Sequence, residues 1–556
     1  MNPLPPDIEG KAAAPHWDRI GAHKRFGICV PLFSLRSEND CGIGDIGDLY
    51  GLVDWCRASG ATVIQVLPLN DMGLDHVPYA SLSAFAMDPV YLSLGRIPAV
   101  AGDGALLQRV REVARELNAR SRIDYDAVRR AKMAVLAVAL KRWEPDELTA
   151  ELESFLSRNE WLVTYLAFRV IKEVDGFQSW ETWGDRWSET AIRAVPATHC
   201  DLWRLHLFAQ WLLDVQLRGA ARYAHEKGVL LMGDVPILVS RDSADVWGNP
   251  GYFRLDTCAG APPDMYSESG QTWGFPTYDW NALRADDNAW WRARLAHAQQ
   301  YFDLYRIDHV VGFFRIWTLR NGAPDGRDGW FEPRDQSAWG HHGHAILSMM
   351  LDATSMLPLA EDLGTIPPVC RETLRDLGIC GLKVQRWERR WDTDRGYVDP
   401  ADYDPVSLAT WSTHDTEVLT HWWASSPGER QLLYQASGHE GEAPQCLEPG
   451  LHRDLTRWLS SAPSRFLVLA LQDVLSPLGV LDGDSALQRI NLPGVVNDTN
   501  WTWRCPVTLE SLLEDPRSAA SVRAMITPDR LPPPQSIVHP PGQTHQNVET
   551  ETTHDR

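Results

Sequence analysis

Four carboxylates stand within, or directly after, apolar stretches where an unpaired charge is costly. Asp234 lies inside VLLMGDVPILV, Asp308 lies inside DLYRIDHVV, Glu361 is near the end of LPLAED, and Asp415 follows SLATWSTH. A carboxylate is buried only where a partner or a function compensates for its desolvation. Each stretch has the length and composition of a strand, so strands should position all four acids.

The spacing of three of these acids indicates a shared site. Asp308 and Glu361 are 53 residues apart, and Glu361 and Asp415 are 54 apart, room for a strand and a helix in each interval. In a barrel of alternating strands and helices, the carboxyl ends of the strands meet at one mouth, where active sites are built. Converging carboxylates without a Gly-x-Ser-x-Gly segment fit glycosidic-bond chemistry, with one acid as nucleophile and another as proton donor.

Arg306 stands two residues before Asp308, where a charge-assisted hydrogen bond would keep that carboxylate ionised. The spacing also allows a purely structural interpretation, in which the acids form salt bridges at the barrel mouth or cap helices. Spacing by itself does not separate the two interpretations.

Short apolar runs alternate with longer amphipathic ones, a pattern typical of a parallel sheet with crossover helices. Eight such units predict an α/β protein with a closed (β/α)8 TIM barrel. The predicted strands are 25–35, 62–69, 229–239, 303–311, 357–362, 381–386, 407–412 and 489–492. The predicted helices are 46–58, 203–227, 287–300, 343–353, 367–377 and 465–475.

We expect an N-terminal extension at 1–24, a catalytic barrel at 25–527 and a disordered tail at 528–556. An insertion at about 88–200, between the second and third strands, should form a helical subdomain because 107–174 has helical composition and periodicity. The tail is Pro-rich and polar and cannot bury enough surface to fold. We expect no C-terminal β-sandwich.

The composition narrows the class of partner. The 556 residues contain 53 Lys and Arg against 74 Asp and Glu, a net charge of −21, so nucleic acid and membrane surfaces are poor candidates. Trp occurs 25 times, more often than Tyr or Phe, and its flat apolar face suits sugar rings as well as cores. Nine cysteines without a C-x-x-C pair and the lack of a signal-peptide pattern predict a cytoplasmic protein.

Two other motifs point to different chemistry. The segment 42–47 (GIGDIG) fits the G-x-G-x-x-G of dinucleotide sites, but 36–41 separate it from the preceding strand, so we favour a loop that caps the first barrel helix. The histidines at 341, 342 and 344 lack an obvious Cys or carboxylate to complete a metal site. We therefore predict neither a cofactor nor a metal.

Nine segments, in order, resemble the 4-α-glucanotransferases, which are the amylomaltase or disproportionating-enzyme family (glycoside hydrolase family 77). The resemblance extends from about residue 25 to 515. The segments are GIGD at 42–45, PYASLSAFA at 78–86, GDVPI at 233–237, DSADVW at 242–247, PPDMYSESGQTW at 262–273, RIDH at 306–309, AEDLG at 360–364, THD at 413–415 and RINLPGVVNDTNWTWR at 489–504.

The resemblance implies a role for each matching residue. Asp308 of RIDH corresponds to the nucleophile, Glu361 of AEDLG to the general acid/base, and Asp415 of THD to the stabiliser of the transition state. The resemblance further implies substrate-binding or supporting roles for six residues: Tyr79, Asp234, Gln271, Trp273, Arg306 and His414.

The resemblance implies retaining transfer of an α-1,4-glucan segment to the 4-hydroxyl of an acceptor, through a covalent glucosyl-enzyme. An α-amylase-like hydrolase and a non-catalytic glucan-binding protein remain as alternatives, and a dinucleotide enzyme is a third. The expected partner is a neutral glucan or maltooligosaccharide, and the sequence does not predict the oligomeric state.

Overall fold

A computed structural model describes residues 4–143, 145–184, 188–263, 267–481 and 483–532. The strands within these ranges are β1 (Arg25–Val30), β2 (Val63–Val66), β3 (Leu230–Val235), β4 (Phe253–Arg254), β5 (Thr257–Ala261), β6 (Gln271–Thr272), β7 (Thr277–Tyr278), β8 (Leu304–Ile307), β9 (Ile316–Arg320), β10 (Trp330–Glu332), β11 (Leu357–Ala360), β12 (Cys380–Val384), β13 (Ser407–Thr410) and β14 (Phe466–Ala470).

The helices follow the same chain order. They are α1 (Ala14–Ile20), α2 (Asp48–Ser59), α3 (Pro98–Ala101), α4 (Gly104–Asn118), α5 (Tyr125–Arg142), α6 (Pro145–Arg158), α7 (Trp161–Val174), α8 (Glu189–Thr198), α9 (Cys200–Glu226), α10 (Ala244–Gly248), α11 (Trp280–Ala285), α12 (Ala289–Ala298), α13 (Trp339–Ala353), α14 (Pro368–Leu377), α15 (Leu419–Ser425), α16 (Pro427–Ala436), α17 (Pro449–Ser460), α18 (Leu471–Leu475), α19 (Leu509–Glu514) and α20 (Pro516–Ala524).

Eight strands close into a barrel in the order β1–β14–β13–β12–β11–β8–β3–β2, and every neighbouring pair is parallel. The predicted (β/α)8 barrel is therefore confirmed. These strands are short, and most of their side chains are buried because helices cover the outer face and side chains fill the interior. The strand sequences are therefore nearly continuous apolar runs and do not alternate between apolar and polar residues.

The predicted eighth strand is wrong. The eighth barrel strand is β14, which begins the segment predicted as helix 465–475, whereas 489–492 forms no strand. The FLVLA sequence of β14 runs into α18 without a polar break, so the two elements read as one amphipathic helix. The 489–492 segment instead crosses the barrel mouth, where the Asn491 backbone N–H donates to the His414 carbonyl at 3.0 Å.

Two additions extend the barrel. Helices α3 to α8 lie between β2 and α9, and their buried apolar residues join the same core as the barrel. An antiparallel sheet in the order β10–β9–β5–β6 comes from the connections on either side of β8. This second sheet carries residues 271–273, and the sequence patterns do not predict it.

The connection from β12 to β13 contains no α-helix. Residues 388–398 form a short hairpin there, closed by the paired Arg389 and Tyr397 and by a hydrogen bond from the Val398 N–H to the Glu388 carbonyl of 2.9 Å. We refer to residues 388–398 as the β12 hairpin.

Both ends of the described chain pack against the barrel. The Trp17 ring lies 5.7 Å from Phe466 at the start of β14, and its Nε1–H donates to the Gly378 carbonyl at 2.9 Å. Arg530 is buried and donates to the carbonyls of Ser460, Ala462 and Ser464, among others. The predicted tail is therefore wrong for 528–532, because one buried guanidinium satisfies several carbonyls there, and 533–556 lie outside the described residues.

Replacing Trp17 with Ala should lower the free energy of unfolding by about 3–5 kcal/mol, because it removes a fully buried indole and its hydrogen bond. Denaturant unfolding of the full chain measures this change. Asp18→Ala, an exposed position on the same helix, is the matched control and should stay within about 0.5 kcal/mol of the parent. Equal stability of the W17A variant and the parent would contradict the packing described.

Candidate active site

Arg306 on β8 joins three carboxylates at the mouth of the barrel. Its Nη1 donates to both carboxylate oxygens of Asp234 at 2.8 and 2.7 Å. Its Nη2 lies 3.0 Å from Asp308 Oδ1 and 2.5 Å from Glu361 Oε2. The register of the barrel produces this geometry, because Asp234 on β3 is paired directly with Arg306 and Ala360 with Ile307.

The backbone after β8 places the catalytic candidates side by side. Asp308 follows the last residue of β8 and Glu361 follows the last residue of β11, so both carboxyls emerge at the same level. His309 adopts the left-handed conformation, with φ of 43°, which costs a non-glycine residue free energy. In this conformation the His309 backbone N–H donates to Glu361 Oε2 at 3.0 Å.

The Asp308 and Glu361 carboxyls share the Arg306 guanidinium and repel each other. Because both contact the same Arg306 nitrogen, their contacting oxygens lie at most 5.5 Å apart, the sum of the two contacts. Burial, followed by repulsion from Glu361, raises the pKa of Asp308 well above its usual value despite Arg306. Burial also disfavours ionised Glu361, but Arg306 and the His309 N–H outweigh burial and lower the pKa of Glu361. Burial and mutual repulsion therefore favour a single proton on this pair, and the two carboxyls titrate as a unit.

Asp415 has a separate set of partners. Its Oδ1 accepts from Asn491 Nδ2 at 2.6 Å, its Oδ2 lies 3.4 Å from His414 Nε2, and its carbonyl accepts from Arg489 at 2.7 Å. Burial opposes ionisation of Asp415, but His414 and Asn491 prevail and lower its pKa to about 2. The same contact raises the pKa of His414 although burial opposes it. Asp415 is therefore a fixed negative charge at neutral pH.

One wall of the site is aromatic. The Tyr79 hydroxyl donates to Asp234 Oδ2 at 2.8 Å, and its ring stacks on His414 with centroids 5.2 Å apart. Trp501 packs against both rings, with its centroid 5.8 Å from that of Tyr79 and 5.7 Å from that of His414. Through His414, Tyr79 therefore connects Asp415 to the Arg306 cluster, by which we mean Arg306, Asp234, Asp308 and Glu361.

A loop of the second sheet contacts the site at His309. The Trp273 ring meets the His309 ring edge-on, with centroids 5.1 Å apart, and Trp273 Nε1 donates to Gln271 Oε1 at 3.0 Å. Gly270 has φ of +64°, and a Cβ there would come within 2.5 Å of the Ala261 carbonyl oxygen, so only glycine fits this turn. The turn at Gly270 therefore positions β6, which contains Gln271.

All nine candidate residues from the sequence belong to one connected set of contacts. The residues that sequence reasoning misses are Asn491 and Arg489, which hold Asp415, and Trp501, which supports the aromatic wall. The signal is present in RINLPGVVNDTNWTWR, but its first four residues have the composition of a barrel strand.

The remaining motifs are structural where the structure describes them. Gly44 of the G-x-G-x-x-G segment lies against the Leu32 carbonyl, and Asp45 lies 3.3 Å from the buried Lys132 ammonium. Among the described residues, no group of three His, Cys, Asp or Glu side chains could hold a metal ion. No helix in the described ranges is long and apolar enough to span a bilayer.

Replacing Arg306 with Gln should destabilise the fold by about 3–5 kcal/mol at pH 7, because three buried or nearly buried carboxylates lose their shared cation. The lowered pKa of Glu361 contributes stability above its unfolded value, about 4.3, that is lost as pH falls through the folded pKa. Since this window lies below about pH 4.3, the deficit of the R306Q variant should persist from pH 7 to about pH 4.5 and shrink between there and about pH 3.

Urea unfolding at pH 7, at about pH 4.5 and at about pH 3 measures this difference. Arg193→Gln is the control, because Arg193 and its partner Glu189 have side chains 78 % and 80 % exposed and should contribute nothing measurable. A deficit of R306Q that grows below about pH 4.5 would contradict the electrostatic description.

Comparison with known proteins shows which family the chain resembles. The model of the 4-alpha-glucanotransferase family matches residues 30–509. The chain is 34% identical over 505 residues to a 4-alpha-glucanotransferase of Chlamydia muridarum and 35% identical over 501 residues to one of Chlamydia pneumoniae, covering in both cases 89% of this chain and 94% of the relative.

A solved structure extends the likeness to three dimensions. The amylomaltase from Streptococcus agalactiae in complex with acarbose superposes with a TM-score of 0.77 at 26% identity, covering 90% of this chain and 98% of that one. The barrel and the family match agree with the resemblance inferred from the nine segments. The chain belongs to the 4-α-glucanotransferase family, glycoside hydrolase family 77.

Proposed function

We propose that this enzyme cleaves an α-1,4-glucan and transfers one segment to the 4-hydroxyl of another glucan or of glucose, with retention at the anomeric carbon. The observation that carries the proposal is the Arg306 cluster, which brings Asp308 and Glu361 to within 5.5 Å at the barrel mouth. This upper limit is shorter than the roughly 6.5–9.5 Å of an inverting pair, which must admit a water between the two carboxyls, and it is therefore compatible with retention.

In the first step, Asp308 attacks the anomeric carbon while Glu361 protonates the leaving oxygen. A covalent glucosyl-enzyme and a free chain end result. Asp415 holds sugar hydroxyls of the reacting unit, and its low pKa keeps it ionised throughout. Positive charge that develops on the sugar ring is stabilised by the carboxylates that face it.

The first step needs a protonated Glu361 and an ionised Asp308. The 3.0 Å contact with Arg306 favours the ionised form of Asp308. A donor sugar that places its glycosidic oxygen beside Glu361 receives the single proton of the coupled pair as the glycosidic bond breaks.

In the second step, Glu361 acts as a base toward the acceptor hydroxyl, and the bond re-forms with the original configuration. Transfer exceeds hydrolysis only if sugar displaces water from the cleft. Trp273 beside His309 and Tyr79 beside His414 supply the apolar surfaces for that exclusion. A neutral glucan is compatible with a chain whose net charge is −21. As the cysteine pattern predicts, we place the enzyme in the cytoplasm.

Incubation with maltotriose should give glucose and longer maltooligosaccharides at a constant number of reducing ends, because transfer makes one glycosidic bond for each one broken. Asp308→Asn should lower this activity by about a thousandfold or more, since no nucleophile remains. Chromatography of the products, together with a reducing-end assay, measures both effects.

Asp352→Asn is the matched control, because the Asp352 side chain is 73 % exposed and pairs only with Arg292 on the protein surface. This variant should retain the parent's turnover. Reducing ends that rise with every bond cleaved would identify a hydrolase, and near-normal turnover of the D308N variant would refute the nucleophile assignment.

A further inference from the structure

One exposed indole stands out beside the active-site mouth. Trp391, in the β12 hairpin, is 48 % exposed, while the other large exposed hydrophobic side chains of the described ranges are Leu and Val. An exposed indole retains a large apolar area in water, which is unfavourable unless a ligand covers it. About half of the Trp391 side chain is therefore accessible to a ligand.

The β12 hairpin begins between the catalytic candidates. In the barrel order, β12 lies between β11, which Glu361 follows, and β13, which precedes Asp415. Arg386, just after β12, donates to Glu417 at 3.0 Å, and Glu417 in turn accepts from Arg489, a partner of Asp415, at 2.8 Å. Trp391 is five positions after Arg386, so their Cα atoms are at most about 18 Å apart.

The hairpin holds the indole in a fixed orientation. The Arg389 guanidinium lies 4.9 Å from the Trp391 ring centroid and 5.1 Å from that of Tyr397, so it is stacked between the two rings. Arg389 Nη1 donates to Glu429 on α16 at 2.8 Å, and Trp391 Nε1 donates to the Trp387 carbonyl at 3.3 Å. A ligand therefore meets a preorganised surface and pays little ordering entropy for it.

The chemistry of this surface favours an uncharged ligand with an apolar face. Arg389 is paired with Glu429, and the neighbouring Arg390 is paired with Asp394 through two hydrogen bonds of 2.9 and 2.8 Å. The indole N–H is already used. On the indole itself, a flat apolar face remains for a ligand, and it matches the C–H face of a pyranose.

We propose that Trp391 is a stacking platform for a glucose unit of a long α-glucan, several units away from the bond that reacts. The proposal rests on the proposed function and extends it to chain-length selectivity. A glucan that occupies the cleft and continues along β12 reaches this ring, whereas a trisaccharide held at the reacting centre has too few units to make the same contact.

The test uses full-length D308N protein, which binds sugar without turning it over, and titration calorimetry with maltotriose and maltoheptaose. Adding Trp391→Ala should weaken maltoheptaose binding about fivefold, the loss expected for one aromatic contact, and should weaken maltotriose binding much less. Trp391→Phe should restore most of the affinity for maltoheptaose. Thr393→Ala, exposed in the same hairpin, should leave both affinities at the D308N values.

Each outcome separates the platform from the proposed function. An equal loss for the two sugars, or no loss for maltoheptaose, overturns the platform and leaves the transferase proposal standing. A D308N protein that binds neither sugar overturns both. Thermal unfolding of the W391A variant at the parent's midpoint excludes a folding defect, because a half-exposed ring contributes little to the core.

Discussion

The site depends on one constraint, which is that a single buried guanidinium must satisfy the carboxylates that surround it. Arg306 contacts Asp234, Asp308 and Glu361 from one position on β8. Without it, three acids at this depth could not share a small volume, since repulsion and desolvation would both oppose their ionisation. The guanidinium therefore sets the protonation of the pair as well as its geometry.

The barrel supplies the positions that this constraint requires. Parallel strands in register bring Asp234 opposite Arg306 and bring the ends of β8 and β11 to one level. The long connections at the barrel mouth add two contacts that the strands do not provide. Asn491 donates a hydrogen bond to Asp415, and the Trp273 ring packs against His309. The strained backbone at His309 belongs to the same arrangement, because it directs an N–H toward Glu361.

The sequence predicts site residues where a charged side chain stands in an apolar strand segment. Asp308 and Glu361 are identified in this way, because the residues around them are mostly apolar. The sequence is uninformative where two elements share one apolar run, as in FLVLA followed by α18, and where pairing is remote, as in the second sheet. The contacts of Asn491 and Trp501 depend on how a long connection folds over the mouth, and local sequence does not encode this.

The tryptophans fall into two groups, those buried in the core and those at or near the site. Trp17, Trp55, Trp291, Trp411 and Trp423 are among the largest fully buried side chains and belong to the core. Trp273 and Trp501 lie at the site, and Trp391 remains exposed beside it. Counting tryptophans could not separate these groups, because burial depends on neighbours that are distant in the chain.

The direct test is to trap the covalent intermediate with a fluorinated glucosyl fluoride whose ring fluorine slows deglycosylation, and to map the label by mass spectrometry after digestion. A nucleophile held by Arg306 predicts one glucosyl label per chain, attached to Asp308. A label on Glu361 or Asp415, or a chain that turns the reagent over without ever carrying a label, would contradict it.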